Sequence, residues 1–138
     1  RLLAGALLPD GVAQAARRYR PAFRDAARRV FEDFDLLLAP VTPCPAPPIG
    51  QATMELDGVP VSVRKTLGAY TQPISYVGLP VIAAPVNRPG KSPIGVQLIA
   101  PAWREDLAFA AALRLERAGV IAAHRPPVHW PPIRRDPA

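Results

Sequence analysis

Val12, Ala16, Tyr19, Phe23, Ala27, Val30 and Phe34 recur at steps of three and four, the spacing of one apolar stripe along an α-helix. Asp10 is placed to cap its start. The opposite face carries Arg17, Arg18, Arg24, Arg28 and Arg29, with Asp25–Arg29 and Arg28–Glu32 spaced for i,i+4 pairing. Pro21 falls inside the stripe and predicts a kink, or a break between two helices, because it lacks an N–H and crowds the preceding turn. Asp35-Leu36-Leu37-Leu38-Ala39-Pro40 then reads as a short strand buried on both faces and ended by proline.

Residues 40–48 hold five prolines and predict extended, irregular chain. Thr53 to Val61 reads as a hairpin, since Asp57-Gly58 suits a type I′ turn, and Pro60 makes its second strand an edge. A short helix is expected within 63–71. Leu79–Val86 and Pro93–Ile99 are the strongest strand signals, and the turn-forming residues 87–92 between them predict an antiparallel pair. Residues 103–118 read as a helix, with Glu105 and Asp106 in its first turn, Arg114 and Arg117 in its last, and Gly119 as its stop. Its small face, including Ala108, Ala111 and Ala112, suits close packing on a sheet. The order of elements gives an α/β fold, a mixed sheet flanked by helices. The expected division is one segment over 1–121 and a Pro/Arg-rich tail over 122–138.

Composition narrows the class. Seventeen basic against eleven acidic residues give a net charge of +6, and every basic residue except Lys65 and Lys91 is arginine. Interleaved acids mark the basic helix face as solvated surface rather than a nucleic-acid footprint. Nineteen prolines beside nine glycines exclude collagen and a helical bundle through the whole chain, and 49% apolar residues exclude disorder throughout. No stretch approaches the ~18 uninterrupted apolar residues of a membrane span. Cys44 is the single cysteine, so no internal disulfide can form, and a cytoplasmic location is expected. The chain opens Arg1-Leu2-Leu3-Ala4-Gly5 without an initiator Met or the order of a signal peptide, and is expected to be a piece of something longer.

The residues alone assemble no complete catalytic site. Ser62, Ser75 and Ser92 stand without a G-x-S-x-G elbow. His124 and His129 are five apart but lack thiolate or carboxylate company, so no metal is expected. The glycines are too scattered for a phosphate-binding loop, and no cofactor is expected. Pro126–Pro132 resembles a polyproline ligand, but a chain end packing Trp130 accounts for it more simply.

Three stretches in order resemble the C-terminal third of the amidase signature family. Phe34-Asp35-Leu36-Leu37-Leu38-Ala39-Pro40-Val41-Thr42-Pro43 is similar to its aromatic-Asp, apolar run, Pro-x-x-Pro segment. Thr71-Gln72-Pro73-Ile74-Ser75-Tyr76-Val77-Gly78-Leu79-Pro80 resembles its T-x-P-x-N-x-x-G-x-P pattern, with Ser75 in place of the usual Asn. Pro93-Ile94-Gly95-Val96-Gln97-Leu98-Ile99 is similar to the third, followed by a loop, Glu105 and a helix. Gly78 and Gly95 are expected to permit close backbone approach. In look, the chain is closest to the family's carboxybiuret-hydrolase-like amidohydrolases.

The resemblance implies the C-terminal portion of the amidase signature fold and hydrolysis of a small amide by a Ser–cis-Ser–Lys acyl-enzyme mechanism. All three triad residues would lie N-terminal to Arg1, so no catalytic residue is assigned in this chain, and the chain alone is expected to be inactive. Arg1, Gly68 and Thr71 are the implied substrate-binding positions. Arg1 resembles the arginine of an R-I-x-x-G segment that holds a substrate carboxylate in amidotransferase relatives. Gly68 stands where the branch acting on aminoacyl-tRNA has an acidic residue, five before the proline matching Pro73, which disfavours that branch. Implied partners are the small amide, the N-terminal part of the amidase domain, and either a second copy or a small accessory subunit, with no nucleic acid and no membrane. The alternative is a non-catalytic basic module for nucleic acid or a protein partner.

Overall fold

In a computed structural model, which describes residues 5–123, the order is α1 (Asp10–Asp33), β1 (Leu37–Pro40), β2 (Thr53–Leu56), β3 (Val59–Ser62), α2 (Val63–Thr66), α3 (Gln72–Val77), β4 (Val81–Pro85), β5 (Gly95–Ile99) and α4 (Glu105–Arg117). The main sheet has the order β1-β5-β4, and β2 and β3 form a separate pair. Every pairing is antiparallel, so over the described residues the sheet is antiparallel rather than mixed. Helices and strands mix as the α/β expectation has it, and α4 packs on this sheet through β4 and β5.

β5 is central and carries the core. Leu98 and Ile99 are 0% and 2% exposed, each contributing about 1.5–3 kcal/mol of apolar burial. The outer strands do not match the expectation of burial on both faces: β1 and β4 alternate, and Leu38 is 64% exposed. The physical reason is coverage, since α4 is the helix that packs on β4 and β5.

α4 ends as its sequence predicts. Gly119 has φ +70°, its N–H bonds Glu116 O at 2.9 Å, and Val120 N–H bonds Leu115 O at 2.9 Å, the double bond of a Schellman cap. The chain then returns along β4, with Ala122 N–H donating to Pro85 O at 3.1 Å. The hairpin also follows expectation, with Asp57 and Gly58 at φ 49° and 77°, both left-handed as type I′ demands. Pro60 faces Glu55 across this pair.

α1 departs from expectation in three ways. Pro9 is the N-cap residue and Asp10 lies in the first turn, where its charge favours the helix dipole without a capping bond. The helix passes through Pro21 unbroken, giving up the one backbone bond that proline cannot donate. The ion pair found is Asp25–Arg28 at 3.8 Å, with i,i+3 spacing instead of the two i,i+4 pairs. No described residue of α1 is buried. It docks through a tilted contact between the Phe23 and Tyr76 rings, 6.1 Å apart, and through polar bonds: Arg20 Nε donates to Tyr76 O at 2.7 Å and Arg24 Nε to Val77 O at 3.3 Å. These carbonyls end α3, where a helix leaves acceptors unpaired and its dipole favours cations. The Arg20 guanidinium also stands over the Tyr76 ring at 5.7 Å. Tyr76 donates its hydroxyl back to Ala16 O. No helix among the described residues is long and apolar enough to cross a membrane.

Candidate functional site

The first and third sequence motifs, far apart along the chain, meet at one side chain, which also reaches the residue just before the second. Gln97 lies on β5, is 2% exposed, and its Nε2 donates to Pro40 O at 2.9 Å and to Tyr70 O at 3.2 Å. Pro40 belongs to the first motif and Gln97 to the third, while Tyr70 immediately precedes the second. Sequence reasoning passed over Gln97 as part of an apolar strand. The signal was present, because an uncharged polar residue within a buried run must find partners there.

Gly95, two residues before it, brings β1 close. Its O accepts from Val41 N–H at 2.9 Å, and a Cβ at Gly95 would stand 2.7 Å from Val41 Cγ2. Gly78 has a different function from the close approach expected of it. It ends α3 at φ +75°, and a Cβ there would meet only Arg20 and Arg24 nitrogens at ordinary contact distance.

Gly68 and Thr71 are brought together. Gly68 O accepts from Thr71 N–H at 3.3 Å, Gln72 N–H at 3.0 Å and Thr71 Oγ1 at 3.3 Å. The space beside Gly68 is occupied by Gln72, whose Nε2 would lie 2.7 Å from a Cβ built there. Arg1, the third position, lies outside the described residues, as do His124, His129 and Pro126–Pro132.

Ser75 is exposed on α3 and lines a cleft of about 550 Å³ with Arg24, Arg28, Gly78, Trp103 and Glu105. Trp103 is 89% exposed and adopts φ 68°, a left-handed conformation unusual for a bulky residue. Next to it, Arg104 donates from both sides of its fork to Asp106, Nε to Oδ1 at 2.9 Å and a terminal nitrogen to Oδ2 at 3.0 Å. That hydrogen bonding, reinforced by opposite charge, holds the Asp106 carboxyl below its ordinary value and raises Arg104. Lys65 is exposed on α2, and no serine–lysine hydrogen bond occurs among the described residues. Cys44 is half-buried, with Sγ 3.3 Å from Met54 Sδ, and no group of three metal-ligating side chains occurs among the described residues. The arrangement can therefore shape and hold; among the described residues it does not present a nucleophile with its base.

The family model described as Amidase matches residues 3–109, and the chain belongs to that family. Among individual proteins, it is 42% identical over 123 residues to AtzE, a component of the 1-carboxybiuret hydrolase of Pseudomonas sp. (strain ADP), covering 87% of this chain and 27% of that protein. It is 33% identical over 121 residues to a glutamyl-tRNA(Gln) amidotransferase subunit from Sulfurimonas denitrificans (strain ATCC 33889 / DSM 1251), covering 84% and 26%. A solved structure described as an unexpected vestigial protein complex revealing the evolutionary origins of an s-triazine catabolic enzyme, inhibitor-bound, superposes with a TM-score of 0.81 at 40% identity. That match covers 86% of this chain and 26% of the solved one. The chain spans about a quarter of the length of the curated relatives it matches.

Proposed function

We propose that this chain is the C-terminal segment of an amidase that hydrolyses a carbon–nitrogen amide bond of a small molecule. It supplies one wall of the pocket and part of the scaffold. The observation that carries this reading is that Gln97 of the third family motif bonds Pro40 O of the first and Tyr70 O beside the second, while no serine–lysine hydrogen bond occurs among the described residues. Residues 1–121 belong to the amidase domain on this reading, and 122–138 form a tail. The N-terminal part of that domain, and a second copy or an accessory subunit, complete the cytoplasmic enzyme.

The chemistry then resides on polypeptide outside this chain. A lysine held neutral takes a proton through a bridging cis-serine, and the activated serine attacks the amide carbonyl. Backbone N–H groups hold the oxyanion, the amine leaves, and water releases the acyl group. This chain contributes binding: Arg1 pairs a substrate carboxylate, and Gly68 and Thr71 line the wall. With glycine at position 68, the wall presents no acidic side chain to a substrate amino group. The substrate inferred is therefore a small amide of the urea-like or dicarboxylic kind.

Ammonia release from small amides tests the reading. The polypeptide carrying this chain together with the remainder of the domain should be active, and the chain by itself inactive. Ammonia release by the purified chain, abolished by Ser75→Ala, would overturn the proposal.

A further inference from the structure

We infer that Gln97 is a positioning residue, fixing where the Gly68–Thr71 wall stands relative to the sheet; the inference rests on the reading that this wall lines the amidase pocket. Gln97 sits on the central strand, directly opposite Ala39 of β1 and Ala83 of β4. Residues paired across a sheet share a face, so this long side chain has a methyl group on either side and room to lie across the strands.

A primary amide NH2 has two hydrogens, and the structure offers two acceptors, Pro40 O and Tyr70 O. Both donors are used, and they join two segments that are separate in sequence. At 2% exposure, water does not compete for the side chain. No close isostere reproduces this. Ionised glutamate brings no donor, methionine brings none, and asparagine is one methylene too short to keep both contacts.

The wall itself needs such an anchor. Gly68 O accepts from Thr71 and Gln72, Ala69 N–H donates to Thr66 O at 3.0 Å, and Thr71 O accepts from Ser75 N–H at 3.0 Å, bonds that tie the turn to the short helices on either side and not to the sheet. Among the described residues, the bond from Gln97 to Tyr70 O attaches this turn to the sheet. Loss of that bond should let the turn drift while the β4–β5 ladder stays intact. A displaced wall binds substrate less well, whereas the bond-making groups elsewhere are unmoved, so the effect should fall on KM rather than on kcat.

The test uses Gln97→Met in the amidase polypeptide that carries this chain, with a small primary amide as substrate and ammonia release as the assay. Amide hydrogen exchange is followed in parallel. The expected result is a KM raised roughly tenfold, the scale of one lost buried hydrogen bond, with kcat within about twofold. Exchange at Thr71 and Gln72 should quicken while Leu98 and Ile99 stay protected. Unchanged KM, a fall in kcat alone, or uniformly faster exchange across the sheet would overturn the inference. If Gln97→Met does not accumulate as folded protein, Gln97→Asn is read by the same measurements and the same outcomes. A wild-type polypeptide without amidase activity would sink the proposed function instead, and exchange at Thr71 and Gln72 would still decide whether Gln97 anchors the turn.

Discussion

Replacing Gly95 by alanine tests how tightly β1 is drawn onto β5. The added Cβ would stand 2.7 Å from Val41 Cγ2, closer than real Cβ atoms approach, and 3.1 Å from Val41 Cβ, tighter than most such contacts. Val41 is fixed there by its N–H bond to Gly95 O at 2.9 Å, so relieving the clash means lengthening that bond or rotating Val41 away. Overpacking of this kind costs about 1–3 kcal/mol. Weakening the backbone bond adds about 0.5–1.5 kcal/mol. Reduced freedom of the unfolded chain returns about 0.4–1 kcal/mol, because Gly95 is not held at a left-handed φ. The net expectation is a loss of about 0.5–4 kcal/mol, centred on ~2, read from urea denaturation as a lower midpoint at unchanged slope. Val41→Ala on the Gly95→Ala background removes the obstructing methyls and should recover at least about 0.5 kcal/mol beyond additivity. An unchanged midpoint for Gly95→Ala, or strictly additive behaviour of the pair, would refute the close approach.

Val12, Phe34 and Leu38 are more than half exposed, so the chain alone should bind hydrophobic dyes or self-associate; a monodisperse, dye-negative monomer with a sharp thermal transition would count against this. The Arg104 fork lowers the Asp106 carboxyl, so its stabilising contribution is present above the unfolded value, near pH 4, and fades as pH falls through the folded one. Asp106→Asn should therefore cost a little stability at pH 7 and less at pH 2, and equal losses at both pH values in thermal melts would contradict the assignment. Arg1→Lys in the active polypeptide should weaken turnover of an acidic amide by about 1.5–3 kcal/mol in kcat/KM and leave its neutral analogue little changed. Equal losses on both substrates would make Arg1 structural.

Local chemistry was legible in the sequence wherever one residue dictates one backbone state. Asp57-Gly58 announced a left-handed turn, Gly119 a helix stop, and the apolar runs around Ile82 and Leu98 an antiparallel pair. α3 lies beyond the short helix expected within 63–71, yet Pro73 near its start and Gly78 at its end are how a single short helix is bounded. The burial of β1 was overestimated because an apolar run shows what a strand prefers to touch, while its actual coverage depends on which other elements are present. The three motifs were each visible, but the meeting of the first and third beside the second was not. Only tertiary structure brings Pro40 O and Tyr70 O within reach of Gln97, across 57 and 27 residues.

On the proposed function, this chain forms a wall of an amidase whose nucleophile lies elsewhere. The most direct measurement treats the active polypeptide with a serine-reactive organophosphonate and maps the modified residue by peptide mass. The account predicts one labelled serine on polypeptide outside residues 1–138, with Ser62, Ser75 and Ser92 unmodified. Stoichiometric labelling of any of those three, with loss of activity in step, would contradict it.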